Sequence, residues 1–340
     1  MRAGKSDYRD DGALGPEGTL DTKGTFALSW PRAIWTGRHR WIANHRKSLI
    51  GYGFIAPAIV YLFLLCIYPM IDIFIVSFTD MNQGVRSYVG LKHYVTAFQE
   101  PLLWTSVRNT VFLTIGATAL HLSVGLALAL LLNEAWFSTK LRNIARGLLI
   151  LPWVFSTAAA GLMWSLLYHP FGLLNYIAYG AVGIVDRPIE FLGDPQLALT
   201  AVIFVGGWKS FPFYMIALLG GLQGISQDLY EAAKVDGANR WQRFRHVTIP
   251  QLWPVLVAVS TIDLITTFGH VDLINMLTKG GPGTSTYTVA YYTYNTGLVD
   301  GRLSYAAAIS TIMLGLLAIA TFFYLRMVTR KGGDFGESAI

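Results

Sequence analysis

Leu222 to Pro254 reads LQGISQDLYEAAKVDGANRWQRFRHVTIPQLWP, a polar stretch set between two apolar blocks, Ala198 to Leu222 and Leu252 to Met276. Ser226 is placed to cap a short helix running through Ala233. Gly237 supplies a stop that tolerates positive φ, and Asn239 can cap a second segment with Gln242 at its N3 position. The spacing therefore predicts helix, turn, helix in a loop outside the membrane. Ala232 and Ala233 would give it a thin surface that another protein can approach closely, and Glu231 a charge for a basic partner. A competing reading takes Arg240, Arg243 and Arg245 as a phosphate or lipid-headgroup patch.

Working outward, four more apolar blocks join those two: Gly53 to Phe78, Val107 to Leu132, Gly147 to Tyr168 and Tyr305 to Met327. At about 1.5 Å per residue, a helix of 20 residues crosses a hydrocarbon core of roughly 30 Å. Hydrophobic residues make up 53% of the 340 and charged residues only 14%, against about 25% charged in ordinary soluble proteins. The expected fold is an all-α integral membrane protein of six transmembrane helices. Lysines and arginines number 19 on one side of these crossings and 6 on the other, which puts both termini in the cytoplasm. The net charge of +6 is spread over tails and short loops, so it does not argue for nucleic acid. The single cysteine, Cys66, excludes an internal disulfide and a cysteine metal cluster.

Residues 1–48 read as a cytoplasmic tail, disordered early. Its stretch from Trp30 to Lys47 is either an interfacial helix along anionic headgroups or a simple positive anchor. Residues 49–330 form the membrane domain, with the polar loop at 223–250, and 331–340 a cytoplasmic tail. Pro57, Pro69, Pro152 and Pro212 are read as kinks within spans rather than boundaries.

Charged groups inside a span must face protein or a wet cavity. Lys209, Asp263, His270 and Asp272 need such an account. Asp263, Thr266, Thr267 and His270 stand at i, i+3, i+4 and i+7, one face of the fifth helix. Gly206, Lys209, Ser210 and Phe213 repeat that geometry on the fourth. Two such faces would line a polar path near mid-membrane; alternatively the groups only hydrogen-bond between helices. Lys209 is expected either to steady an anionic substrate or to pair with Asp263, with pairing favoured. Asp272 points away from the stripe, toward a helix end or loop. No metal role is expected for His270, because no second ligand stands at i+3 or i+4.

The stretch EAAKVDGA at 231–238, with Phe244 and Ile249-Pro250 after it, resembles the EAA loop of inner-membrane subunits of bacterial ATP-binding-cassette (ABC) importers. YVGLKHYVTAF with Arg108-Asn109-Thr110, LPW at 151–153, WKSFPF at 208–213 and LTKGGPGTST at 277–286 resemble its carbohydrate branch, the maltose-permease-like subunits. The resemblance covers residues 50–328. Relatives often have Leu-Pro where this chain has Ile249-Pro250. It implies the type I ABC importer permease fold, in the bacterial inner membrane. It also implies that Glu231, Ala232, Ala233, Asp236, Gly237 and Ala238 form a coupling helix docking into an ATPase subunit. The implied sugar contacts fall on Phe155, Ala159, Gly206, Lys209, Ser210, Phe213, Asp263, Thr266, Thr267 and His270. Lys209, Asp263 and His270 depart from a neutral-sugar pocket, so a charged substrate is among the options. The implied partners are a second homologous permease, two ATPase subunits holding ATP and Mg, and a periplasmic substrate-binding protein.

No GxxxxGK[ST] phosphate loop occurs, so ATP hydrolysis is expected in partner chains, with no cofactor in this one. An ion-coupled secondary transporter is the alternative; it would use Asp263, His270 or Lys209 for ions, yet has no need of a docking loop. An intramembrane enzyme finds no GxSxG elbow, metalloprotease motif or aspartate pair.

Overall fold

The computed structural model describes residues 52–82, 85–134 and 138–337. The readings made for the tail before residue 49 lie outside them. The chain forms two compact units, Met1–Pro69 and Met70–Ile340. In the first, the described residues are helical, with exposed apolar side chains and a π-turn over Phe63–Ile67. That turn lies ahead of Pro69, whose missing N–H and ring disturb the preceding turn of a regular helix.

The helix beginning at Tyr52 ends at Val76 (α1). A two-stranded antiparallel hairpin follows, β1 (Thr79–Asn82) and β2 (Val85–Tyr88), with Thr79 opposite Tyr88. Among the described residues, it corrects the all-α expectation in this one place. The helices of the second unit are α2 (Lys92–Gln99), α3 (Pro101–Asn133), α4 (Thr139–Val154), α5 (Thr157–Leu167) and α6 (Ala198–Gln223). After them come α7 (Gln227–Val235), α8 (Arg240–Phe268), α9 (Asp272–Leu277), α10 (Val289–Tyr294) and α11 (Leu303–Glu337). Among the described residues, five helices are long and apolar enough to cross a membrane, or six if the bent pair α4 and α5 counts as one span.

Three boundaries differ from the expected blocks. The third block is broken by 94° between α4 and α5. Pro152 lies in the last turn of α4, and Ser156 caps α5 by accepting a bond from the Ala159 N–H at 3.2 Å. Pro152 thus stands just before a boundary, not merely at a kink. The fifth block is displaced: α8 begins at Arg240 and ends at Phe268 with Gly269 as its cap, and α9 restarts at Asp272. Finally, α11 continues to Glu337, ten residues beyond the end of the last apolar block at Met327.

The core of the second unit is built on α3 and α6. In lipid, close packing and interhelical hydrogen bonds replace the hydrophobic drive, so small residues mark the contacts. A Cβ on Gly207 would run into Leu120 Cδ2, and one on Gly125 would meet Tyr214 Cβ at 2.7 Å. Leu113, Trp164, Val202 and Ile274 fill one layer; Leu132, Met215, Leu218 and Leu252 fill another. At the hairpin-side end, the Asn109 Nδ2 donates to the carbonyls of Thr284 (3.0 Å) and Tyr287 (2.9 Å). Thr110 accepts from the Val289 N–H at 2.9 Å. The Asn109-Thr110 pair therefore ties the glycine-rich turn and α10 to α3.

Candidate functional site

The loop from Ser226 to Thr248 takes its shape from local bonds. Ser226 Oγ accepts from the Asp228 N–H (3.3 Å) at the start of α7. At its end, Gly237 adopts φ +80°, the Ala238 N–H reaches the Ala233 carbonyl (2.9 Å), and the Gly237 N–H reaches that of Lys234 (3.0 Å). This is a Schellman ending, which a Cβ-bearing residue at 237 would strain. Asn239 and Gln242 close a reciprocal capping box, with Asn239 Oδ1 accepting at 2.9 Å and Gln242 Oε1 at 2.8 Å. The helix-turn-helix reading holds in each cap.

The second segment then does something the sequence reading did not include: it runs into the fifth apolar helix without a break. Pro250 cannot donate to the carbonyl four residues back, and the helix widens into a π-turn over Phe244–Thr248 instead of stopping. Thr248 Oγ1 donates to the Arg243 carbonyl at 3.5 Å and meets the Tyr230 hydroxyl at 3.0 Å, pinning α7 to the base of α8. Glu231, Ala232, Asp236 and Gly237 are exposed, and Ala233 and Ala238 half-buried. Val235 is 88% and Trp241 65% exposed beside them, a large apolar exposure for a loop leaving the membrane.

Deeper in, the polar residues arrange themselves differently from the expected stripe. Asp263 and Thr267 are buried, Thr266 is exposed, and His270 lies beyond the end of α8, half-buried. The four do not share one helix face, because Gly269 ends the helix one residue too early. On α6, Gly206 is buried and Lys209, Ser210 and Phe213 half-buried, consistent with one side of that helix. Phe155 and Ala159 are exposed on either side of the break before α5. Phe155 stacks on Trp208 at 6.4 Å, and Trp153 lies 6.0 Å from Phe213. Asp272 is exposed in the first turn of α9, a helix end as expected.

The expected Lys209–Asp263 pair does not form. Asp263 is held by His121 of α3, with Nδ1 at 3.0 Å from Oδ1 and 3.1 Å from Oδ2, each side chain only 2% exposed. His121 Nε2 faces the Gly206 carbonyl at 3.1 Å, Thr267 Oγ1 donates to Asp263 Oδ1 at 2.9 Å, and the Tyr214 ring stacks on the imidazole at 5.0 Å. One imidazole thereby joins α3, α6 and α8. The sequence reading missed it, although a signal existed: His121 is the one titratable side chain of the block Val107 to Leu132 apart from Arg108 at its edge.

Apolar helices of spanning length, with an exposed, capped helix pair joining two of them, define an integral membrane permease subunit. The profile of the binding-protein-dependent transport system inner membrane component matches residues 122–331, and the chain belongs to that family, which carries the EAA motif. It is 33% identical over 290 residues to the trehalose/maltose transport system permease protein MalF of Thermococcus litoralis, covering 84% of this chain and 95% of that one. To the sulfoquinovosyl glycerol transport system permease protein SmoG of Agrobacterium fabrum it is 32% identical over 303 residues, covering 87% and 94%. Among solved structures, a chain of the bacterial alginate ABC transporter in complex with an alginate pentasaccharide-bound periplasmic protein matches with a TM-score of 0.74 and 25% identity. The match covers 86% of this chain and 98% of that one. The chain is thus a multi-pass ABC transporter permease with the importer permease fold.

Proposed function

We propose that the chain is one of two homologous permease subunits of a bacterial inner-membrane importer, moving a sugar or oligosaccharide delivered by a periplasmic binding protein. Both termini face the cytoplasm, in keeping with the 19-to-6 distribution of lysine and arginine. Two ATPase subunits, with ATP and Mg, dock against Glu231, Ala232, Ala233, Asp236, Gly237 and Ala238. Their closure on nucleotide pushes the loop and reopens the path outward; hydrolysis resets it. The path runs past Phe155, Ala159, Gly206, Lys209, Ser210, Phe213, Asp263, Thr266, Thr267 and His270.

One observation carries this reading. The exposed loop is continuous with α8, whose other end bears Asp263, so a push outside the membrane reaches its middle through hydrogen-bonded helix. The saccharide assignment draws on the relatives, whose names are those of trehalose/maltose and sulfoquinovosyl glycerol permeases.

The test is uptake of labelled saccharide by proteoliposomes holding the assembled complex and its binding protein. Uptake is expected to need ATP and to survive a protonophore. Glu231→Ala is expected to cut uptake at least about tenfold, the loss of an interaction of about 1.4 kcal/mol or more, with membrane insertion unchanged. Uptake driven by a proton gradient without ATP, or undiminished in Glu231→Ala, overturns the reading.

A further inference from the structure

Building on the saccharide-permease reading, we propose that Lys209, with His270 near it, forms a subsite for the anionic group, carboxylate or sulfonate, of an acidic saccharide. Asp263, the buried acid nearest the middle of the assembly of α3, α6 and α8, is already neutralised. Oxygens face both nitrogens of His121, the Asp263 carboxylate on one side and the Gly206 carbonyl on the other. A lone pair cannot face an oxygen acceptor at hydrogen-bond distance, so each contact holds a proton and the pair is neutral as a whole. Thr267 adds a further donor to the same carboxylate.

Lys209 is left over. It stands near the middle of α6 (Ala198–Gln223), is half-buried, and has no carboxylate within 4.0 Å among the described residues. An ammonium at that depth is retained only where something uses its charge. His270 lines a cavity together with Gly206, which stands one helical turn from Lys209 on α6. Asp272 is exposed, in the first turn of α9. Thr157, the first residue of α5, lines one opening with Gly269, His270 and Asp272.

The aromatic surroundings supply the rest of the recognition. Phe213, one turn from Lys209 on α6, packs with Trp153, and Trp208, its neighbour in the chain, packs with Phe155; aromatic rings of this kind suit the C–H face of a sugar ring. A site built around an ammonium selects against the uncharged analogue, because that analogue would leave the charge buried and unpaired.

The experiment uses the complete importer, with partner permease, ATPases and binding protein, in proteoliposomes. The probes are matched pairs: trigalacturonate against its carboxyl-reduced trigalactoside, and a 6-sulfonated glucoside against the plain glucoside. The charged member of a pair is expected to be imported in preference. Lys209→Met is expected to lower its uptake by about tenfold or more while the complex assembles normally, and Lys209→Arg to keep most of it. Preference for the uncharged members, or equal uptake by Lys209→Met, overturns the subsite. Loss of the partner permease from the Lys209→Met complex also overturns it, by assigning the lysine to an acid on that partner. Absence of ATP-driven uptake for every saccharide would instead remove the permease reading beneath it.

Discussion

The loop at 226–248 and the node around His121 are both made of polar groups, held at opposite ranges of the chain. In the loop, Ser226 bonds to Asp228, Asn239 to Gln242 and Ala238 to Ala233, all within five residues and in contact with water. In the node, His121 reaches Gly206 and Asp263 across 85 and 142 residues, out of water. Local, wet bonds re-form at once after any displacement, because water competes for them on equal terms. Buried, long-range ones do not, because a parted partner is left unsatisfied in a low dielectric. The difference assigns the two regions separate mechanical duties: the loop yields and docks, while the node keeps α3, α6 and α8 in register.

The largest expected effect is at the node. His121→Ala leaves the Asp263 carboxylate buried and unpaired, a cost of about 3–5 kcal/mol, whereas His121→Leu with Asp263→Leu is expected to regain most of it. The thermal midpoint of the detergent-solubilised complex measures both; a single variant as stable as the wild type would deny the node its role. Next comes Gly237→Val, which forces a β-branched residue to φ +80° at a cost of about 1–2 kcal/mol. Hydrogen exchange is expected to quicken in 227–248 and to stay unchanged in α3 and α6. Smallest is Asn239→Ala, which removes one side of the capping box for about 1 kcal/mol. Its effect should stop within the first turn of α8; faster exchange as far as Asp263 would erase the contrast between yielding loop and fixed node.

How far each region was legible follows from the same contrast. Ser226, Gly237, Asn239 and Gln242 act on neighbours a few residues away, so their spacing carried the caps and the turn unaided. His121 acts on α6 and α8, and nothing local in LTIGATALHLSVG distinguishes a structural imidazole from its apolar setting except its presence. Lacking that partner, the sequence reading gave Asp263 to Lys209, the only cation it had placed at the right depth. The stripe on the fifth helix failed for a smaller reason: helical periodicity was extended one residue past Gly269, which carried His270 onto a face it does not occupy. The break before α5 had its signal in Pro152 and Ser156-Thr157, a helix ending and a new cap in succession. The fifth helix starts twelve residues ahead of the apolar block expected from Leu252, since the π-turn at Phe244–Thr248 lets the helix pass Pro250.

That passage has a geometric corollary. Twenty residues separate Arg243 from Asp263, so the two ends stand about 30 Å apart on one rod. A swing of about 5° about the foot of such a rod sweeps its upper end through roughly 3 Å, the span of a single hydrogen bond. An angular displacement too slight to disturb any cap would therefore suffice to make the Asp263 carboxylate change neighbours, unless α3 and α6 travel with it.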